Sequence, residues 1–159
     1  MPDRIELRAQ NPVAECLVRQ LVVPRVYFEV EWGGMPGERV DVLAIDRDGR
    51  GDAHIVEIRG NAASALAMVP RLLAARAPYR WIAFLRGSED EAATAALAAQ
   101  EILYPSETAG RVGVIEIVEM AGNDLGASVR LKAERFPTPT YDLAAEFAAS
   151  HQASIEYPG

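Results

Sequence analysis

The chain has 159 residues, half of them hydrophobic and a quarter charged, which suits one globular domain with a proper core rather than a disordered segment. Its net charge of −7 argues against a broad basic surface and leaves room only for a local basic cleft as a nucleic-acid contact. Cys16 is the only cysteine, which excludes an intramolecular disulfide and a cysteine-based zinc site, and no apolar run is long enough to span a bilayer.

The first ten residues, MPDRIELRAQ, contain acids and no apolar leader, so a cytoplasmic protein is expected. Asn11-Pro12 reads as an N-cap followed by proline in the first helical turn. Val13, Leu17, Val18 and Leu21 then recur at helical spacing, predicting a helix over 11–22 that carries Glu15 and a buried Cys16. Residues 25–32 alternate as a strand, with Phe28, Val30 and Trp32 on one face and Tyr27, Glu29 and Glu31 on the other. GGMPG is a turn. Two further strands follow, over 39–45 and 53–60, around the loop DRDGRGD.

Asn61 or Ser64 caps a second helix running to about Arg76, with a kink at Pro70. YRWIAFL is a fourth strand, and an alanine-rich helix over 89–103 begins at a Ser88–Glu91 capping box. Strands over 111–120 and 127–134 flank the turn AGNDLG. Pro137 and Pro139 mark a break before a short helix over 141–150. The domain therefore occupies 1–135, and 136–159 form a C-terminal extension. Short connections require antiparallel pairing in the early meander, whereas the strand–helix–strand from 53 to 86 implies a parallel crossover. The expected class is α/β: a mixed β-sheet flanked by helices.

Chemistry concentrates in the second and third strands. If they pair about Gly49, Asp41 falls opposite Glu57, since both lie eight positions from that pivot. Alternation puts Glu57 and Arg59 on one face and Ile58 on the other. Acids inside an otherwise apolar strand pair are costly unless they pair or bind a cation. One reading is a divalent-metal site with a positive group beside it. Another is a charge cluster in which Asp41 pairs with Arg39 or Arg59. Pairing of the first two strands about Met35 would also bring Glu29 opposite Asp41. His54 is expected on an exposed strand face and Trp81 and Trp32 in the core or an interface. Arg71, Arg76, Arg80 and Arg86 would line a groove for nucleic acid or form a solvated face.

This arrangement resembles the PD-(D/E)XK phosphodiesterase superfamily, whose restriction-endonuclease-like core is a helix, a three-strand meander, a helix and a further strand. The match spans about residues 11–86, with C-terminal additions. GERVDVLAID followed by HIVEIRG is similar to the signature of its Holliday-junction-resolvase-like members. The resemblance implies a Mg2+- or Mn2+-dependent DNA endonuclease. Asp41, Glu57, the Ile58 carbonyl and Glu15 would bind metal, and Asp41, Glu57 and Arg59 would be catalytic. DNA is the implied partner, a membrane is not, and a homodimer is left open. Arg59 stands where the family has lysine. Arginine keeps the charge but does not deprotonate to serve as a base. Only Lys132 among the 16 basic residues is lysine, so a compositional drift from lysine to arginine is one account. The alternative is a non-catalytic domain of this fold that serves as a binding or assembly module.

Overall fold

The computed structural model describes residues 4–20, 25–31, 39–45, 53–75, 77–86, 111–136 and 155–156. Three successive strands, β1 (Arg25–Glu31), β2 (Arg39–Ile45) and β3 (Ala53–Arg59), form an antiparallel meander. The β2–β3 pairs run from Ile45 opposite Ala53 to Val42 opposite Val56, all symmetric about Gly49. Strand β4 (Tyr79–Leu85) pairs parallel with β3, and β5 (Gly113–Glu119) pairs parallel with β4. Strand β6 (Leu125–Leu131) returns antiparallel to β5. The extension contributes β7 (Ile155–Glu156), which lies against β1, so the sheet order is β6-β5-β4-β3-β2-β1-β7. The class is mixed α/β.

Helices cover both faces of the sheet, and each covered face has its own core. Helix α1 (Arg4–Gln20) lies on one face, where Ala9, Val13, Ala14, Cys16 and Leu17 pack with Val42, Val56, Ile58 and Ile115. The short helices α2 (Ala62–Leu66) and α3 (Val69–Ala74) lie on the other, with Leu43, Ile55, Ile82 and Phe84. Coverage from both sides explains why β3 is buried along nearly its whole length, its polar His54 and Glu57 included. Burial pushes the Cys16 thiol pKa up, as befits a small core residue. Among the described residues, no helix is long and apolar enough to cross a membrane.

Several local expectations are corrected. Helix α1 begins at Arg4, so Pro12 is inside it and not at its start. The buried stripe that holds the helix to the sheet extends back to Ala9, and this packing outweighs the hydrogen bond that Pro12 cannot donate. The second helix divides at Ala67–Met68, so Pro70 sits in the first turn of α3, where its missing N–H costs nothing. Asn61, not Ser64, is the cap: its side chain accepts from the Ser64 backbone N–H at 2.9 Å.

His54 is buried, not exposed. Its ring stacks on Tyr79 at 4.3 Å and its Nδ1 accepts from Trp81 Nε1 at 3.3 Å. The indole of Trp81 lies over Gly113, where an added Cβ would collide with its Cε3. The expected helices over 89–103 and 141–150, together with Trp32 and Arg76, lie outside the described residues.

The alternation expected along the first strand fails at Glu29. Its φ of 50° is in the left-handed region, which a non-glycine residue adopts only at a cost. The kink switches faces: Tyr27 and Val30 both pack toward α2 and α3, whereas Phe28 packs toward α1.

Candidate functional site

The β2–β3 ladder ends where the charged residues begin. Past the Val42–Val56 pair, the Asp41 carboxylate takes the place of a ladder partner: its Oδ2 accepts from the Ile58 backbone N–H at 2.7 Å. The Asp41 side chain is therefore fixed to β3 by a charge-assisted bond. Asp41 and Glu57 are the next residues of their strands past the last ladder pair, Val42–Val56. Flanking pairs Phe28–Val42 and Val30–Val40 bring the kinked Glu29 opposite Asp41 from the other strand.

Alternation aims Glu57 and Arg59 toward α2 and α3. There Arg59 folds back over the acids. Its Nη1 lies 3.0 Å from Asp41 Oδ2, 3.3 Å from Glu57 Oε2 and 2.6 Å from the Ile58 carbonyl oxygen. Its Nη2 reaches Met68 Sδ at 3.1 Å, between the two short helices. One guanidinium nitrogen thus gathers three oxygens from two strands.

Glu57 is the least exposed member, at 2%, against 15% for Asp41 and 22% for Arg59. Its Oε1 is buried and has no hydrogen-bond partner among the described residues. Burial pushes its pKa up to about 9, and the charge and hydrogen bond of Asp41 add to the rise, while Arg59 pulls the other way. Arg59 is closer to Asp41 than to Glu57, so desolvation outweighs the ion pair. Burial and the neighbouring Asp41 thus favour the protonated form of Glu57 in the metal-free site. The neutral carboxyl still offers Oε2 to Arg59.

The donors are hard oxygens from two carboxyl groups and one carbonyl, of the kind Mg2+ and Mn2+ prefer once Glu57 releases its proton, with water completing the shell. The residues therefore fit such an ion once Arg59 gives up its place. Among the described residues no third histidine, cysteine or acid joins Asp41 and Glu57 in a metal-holding group.

Glu15 is not brought to them. It is exposed and borders a depression of about 430 Å3 with Arg19, Met120 and Ser128, which none of Asp41, Glu57, Ile58 or Arg59 lines. The reason is topological. Helix α1 covers the face that receives Val56 and Ile58, while Glu57 and Arg59 point to the other.

Of the four arginines weighed for a groove, the three among the described residues, Arg71, Arg80 and Arg86, have separate fates. Arg71 comes to the site, its Nη1 at 3.9 Å from the same Met68 sulfur that Arg59 touches. Arg86 is exposed and pairs with Glu116 at 3.4 Å; Arg130 pairs with the other oxygen of Glu116 at 3.5 Å. The register Arg59–Phe84–Glu116 puts this second charge group two strands away, or about 10 Å, along the same row of the sheet. Arg80, by contrast, is buried and structural. It donates to the carbonyls of Leu72, Leu73 and Ala77 at 2.8–3.0 Å, and Phe136 lies under its guanidinium at 3.8 Å. It caps the end of α3, and although burial lowers its pKa to about 10, it stays charged at neutral pH. An apolar neighbourhood for Arg80 has no local sequence signal, since its carbonyl partners come from the preceding helix.

No protein-family model matches the chain, and no curated protein matches it. A solved structure of a protein of unknown function from Silicibacter pomeroyi is similar in fold, with a TM-score of 0.57 at 16% sequence identity. The similarity covers 94% of this chain and 87% of that one. At this identity the likeness concerns the fold alone.

Proposed function

We propose that the chain is a metal-dependent phosphodiesterase of the restriction-endonuclease-like class that acts on DNA. The observation that carries this reading is the convergence of Asp41 Oδ2, Glu57 Oε2 and the Ile58 carbonyl on one cation position. Keeping two carboxylates together in a buried place, one with an oxygen lacking a donor, is unfavourable for folding. Buried acids with a displaced pKa, as Glu57 has, concentrate at functional sites. The element order α1, β1–β3, α2/α3, β4 fits the core of that class.

Asp41 would hold one side of the ion, with its orientation fixed by the Ile58 N–H, and Glu57 and the Ile58 carbonyl the other. A bound Mg2+ or Mn2+ supplies charge stabilisation at the phosphate and a more acidic water. Arg59 offers a planar fork to the phosphate oxygens and stabilises charge there without a proton transfer of its own. Arg71, beside Arg59 on Met68, together with Arg86 and Arg130, which pair with Glu116, is suited to the neighbouring backbone phosphates. A local basic strip of this kind is compatible with a chain whose net charge is −7.

A second reading has its own support. Arg59 Nη1 already satisfies the three oxygens, as a fixed internal cation would in a non-catalytic module. A cleavage assay on supercoiled, linear and branched DNA with Mg2+ or Mn2+ separates the two. The phosphodiesterase reading expects metal-dependent cutting of at least one form, lost in Glu57→Ala. Inert wild-type protein on every form and with both metals would leave the module reading.

A further inference from the structure

The geometry points to Arg59 as an exchangeable internal cation: it occupies the three metal-facing oxygens until a divalent ion displaces it, and only then reaches an anionic ligand. This inference rests on the proposed metal site and adds a regulation to it. Three observations support it. Arg59 Nη1 touches all three candidate ligand atoms, from 2.6 to 3.3 Å, so an ion using those atoms meets a positive charge at close range. Two cations sharing three acceptors in a partly dehydrated place repel strongly. Arginine cannot relieve this by losing its proton.

Part of what holds Arg59 is weak. Its second nitrogen rests on a thioether sulfur, a poor acceptor, and the side chain is 22% exposed, which leaves a path outward. Glu57 offers the incoming ion an advantage the guanidinium does not use. Its Oε1 is buried without a donor among the described residues, and a divalent ion can engage the carboxylate as a whole. Metal and phosphodiester binding are then coupled: each ligand takes a partner that the other would otherwise hold, and coupling of this kind is reciprocal.

The test is calorimetric titration of Mn2+ into wild-type protein, Arg59→Ala and Arg59→Gln, each with and without a short phosphorothioate oligonucleotide that resists cleavage. Circular dichroism and thermal melting establish that the variants are folded, and Arg59→Gln, which keeps bulk and hydrogen bonds, serves if Arg59→Ala does not fold. Without oligonucleotide, the variants should bind Mn2+ about tenfold or more tightly than wild type, the effect of one charge-assisted contact that no longer has to be broken. The oligonucleotide should tighten Mn2+ binding to wild type but not to either variant. Mn2+ binding to the variants equal to or weaker than wild type would overturn the exchange and leave the metal site standing. Absence of Mn2+ binding in all three proteins, with oligonucleotide present, would overturn the metal site and the exchange with it.

Discussion

Glu57→Gln should stabilise the metal-free protein, by an amount that grows with pH. Folding raises the Glu57 pKa from 4.5 to about 9, first through burial and then through Asp41. The folded state therefore binds a proton that the unfolded chain releases between those values, so stability falls as pH rises through that window. At about 1.4 kcal/mol per pH unit, the full shift is an upper bound of about 6 kcal/mol lost by pH 9, of which about 3 kcal/mol is already lost at pH 7. Side-chain relaxation and water entry reduce it. A third of the total, about 2 kcal/mol, still displaces the melting temperature by about 4–8 °C in a chain of this size.

Glutamine copies the protonated acid. Its amide N–H can donate to Asp41 and its oxygen can accept from Arg59, and it carries no titrating proton. Melting temperatures of both proteins, measured in chelator from pH 5 to pH 9, isolate the effect, because other titrating groups cancel in the difference. The Gln variant should match wild type near pH 5 and exceed it increasingly toward pH 9. A difference that stays flat across the range, or a variant less stable throughout, would show that Glu57 is ionised and held by Arg59. The reasoning from burial and Asp41 would then be wrong.

Gly113→Ala should lower stability by about 1–3 kcal/mol in urea unfolding, because a Cβ there would collide with the Trp81 ring and meet the Ala133 backbone nitrogen at 2.7 Å. Arg80→Met should cost about 2–4 kcal/mol in the same measurement, since it strips donors from the Leu72, Leu73 and Ala77 carbonyls while preserving most of the side chain's bulk. Mn2+ at millimolar concentration should raise the melting temperature of wild type but not of Asp41→Asn, as expected for a ligand of the folded state alone. An equal rise in the two would place the metal elsewhere.

The meeting of Asp41 and Glu57 was legible in the sequence because it depends on local rules. Period-two alternation and a short loop set the β2–β3 register about Gly49, and the same rules place Glu29 opposite Asp41 about Met35. The direction of β4 was legible too, since a helical connection returns a strand parallel to its predecessor. Other features depended on which element packs against which face. Alternation shows that Glu57 and Arg59 share a side, but it does not say that α1 covers the opposite one, and this separates Glu15 from the acids. His54 and Arg80 look like surface residues in their strands; they are buried because Tyr79 and Trp81 close over the one and the end of α3 over the other. The short β7 has little local signal and is identified by the free edge of β1 that it pairs with. Arg59 shows the division most plainly. Its place two residues after Glu57 on β3 is a matter of sequence. Its turn onto Asp41, Glu57 and the Ile58 carbonyl follows from the fork between two strands and the helices above it, where an arginine next to two buried acids finds its most favourable contacts.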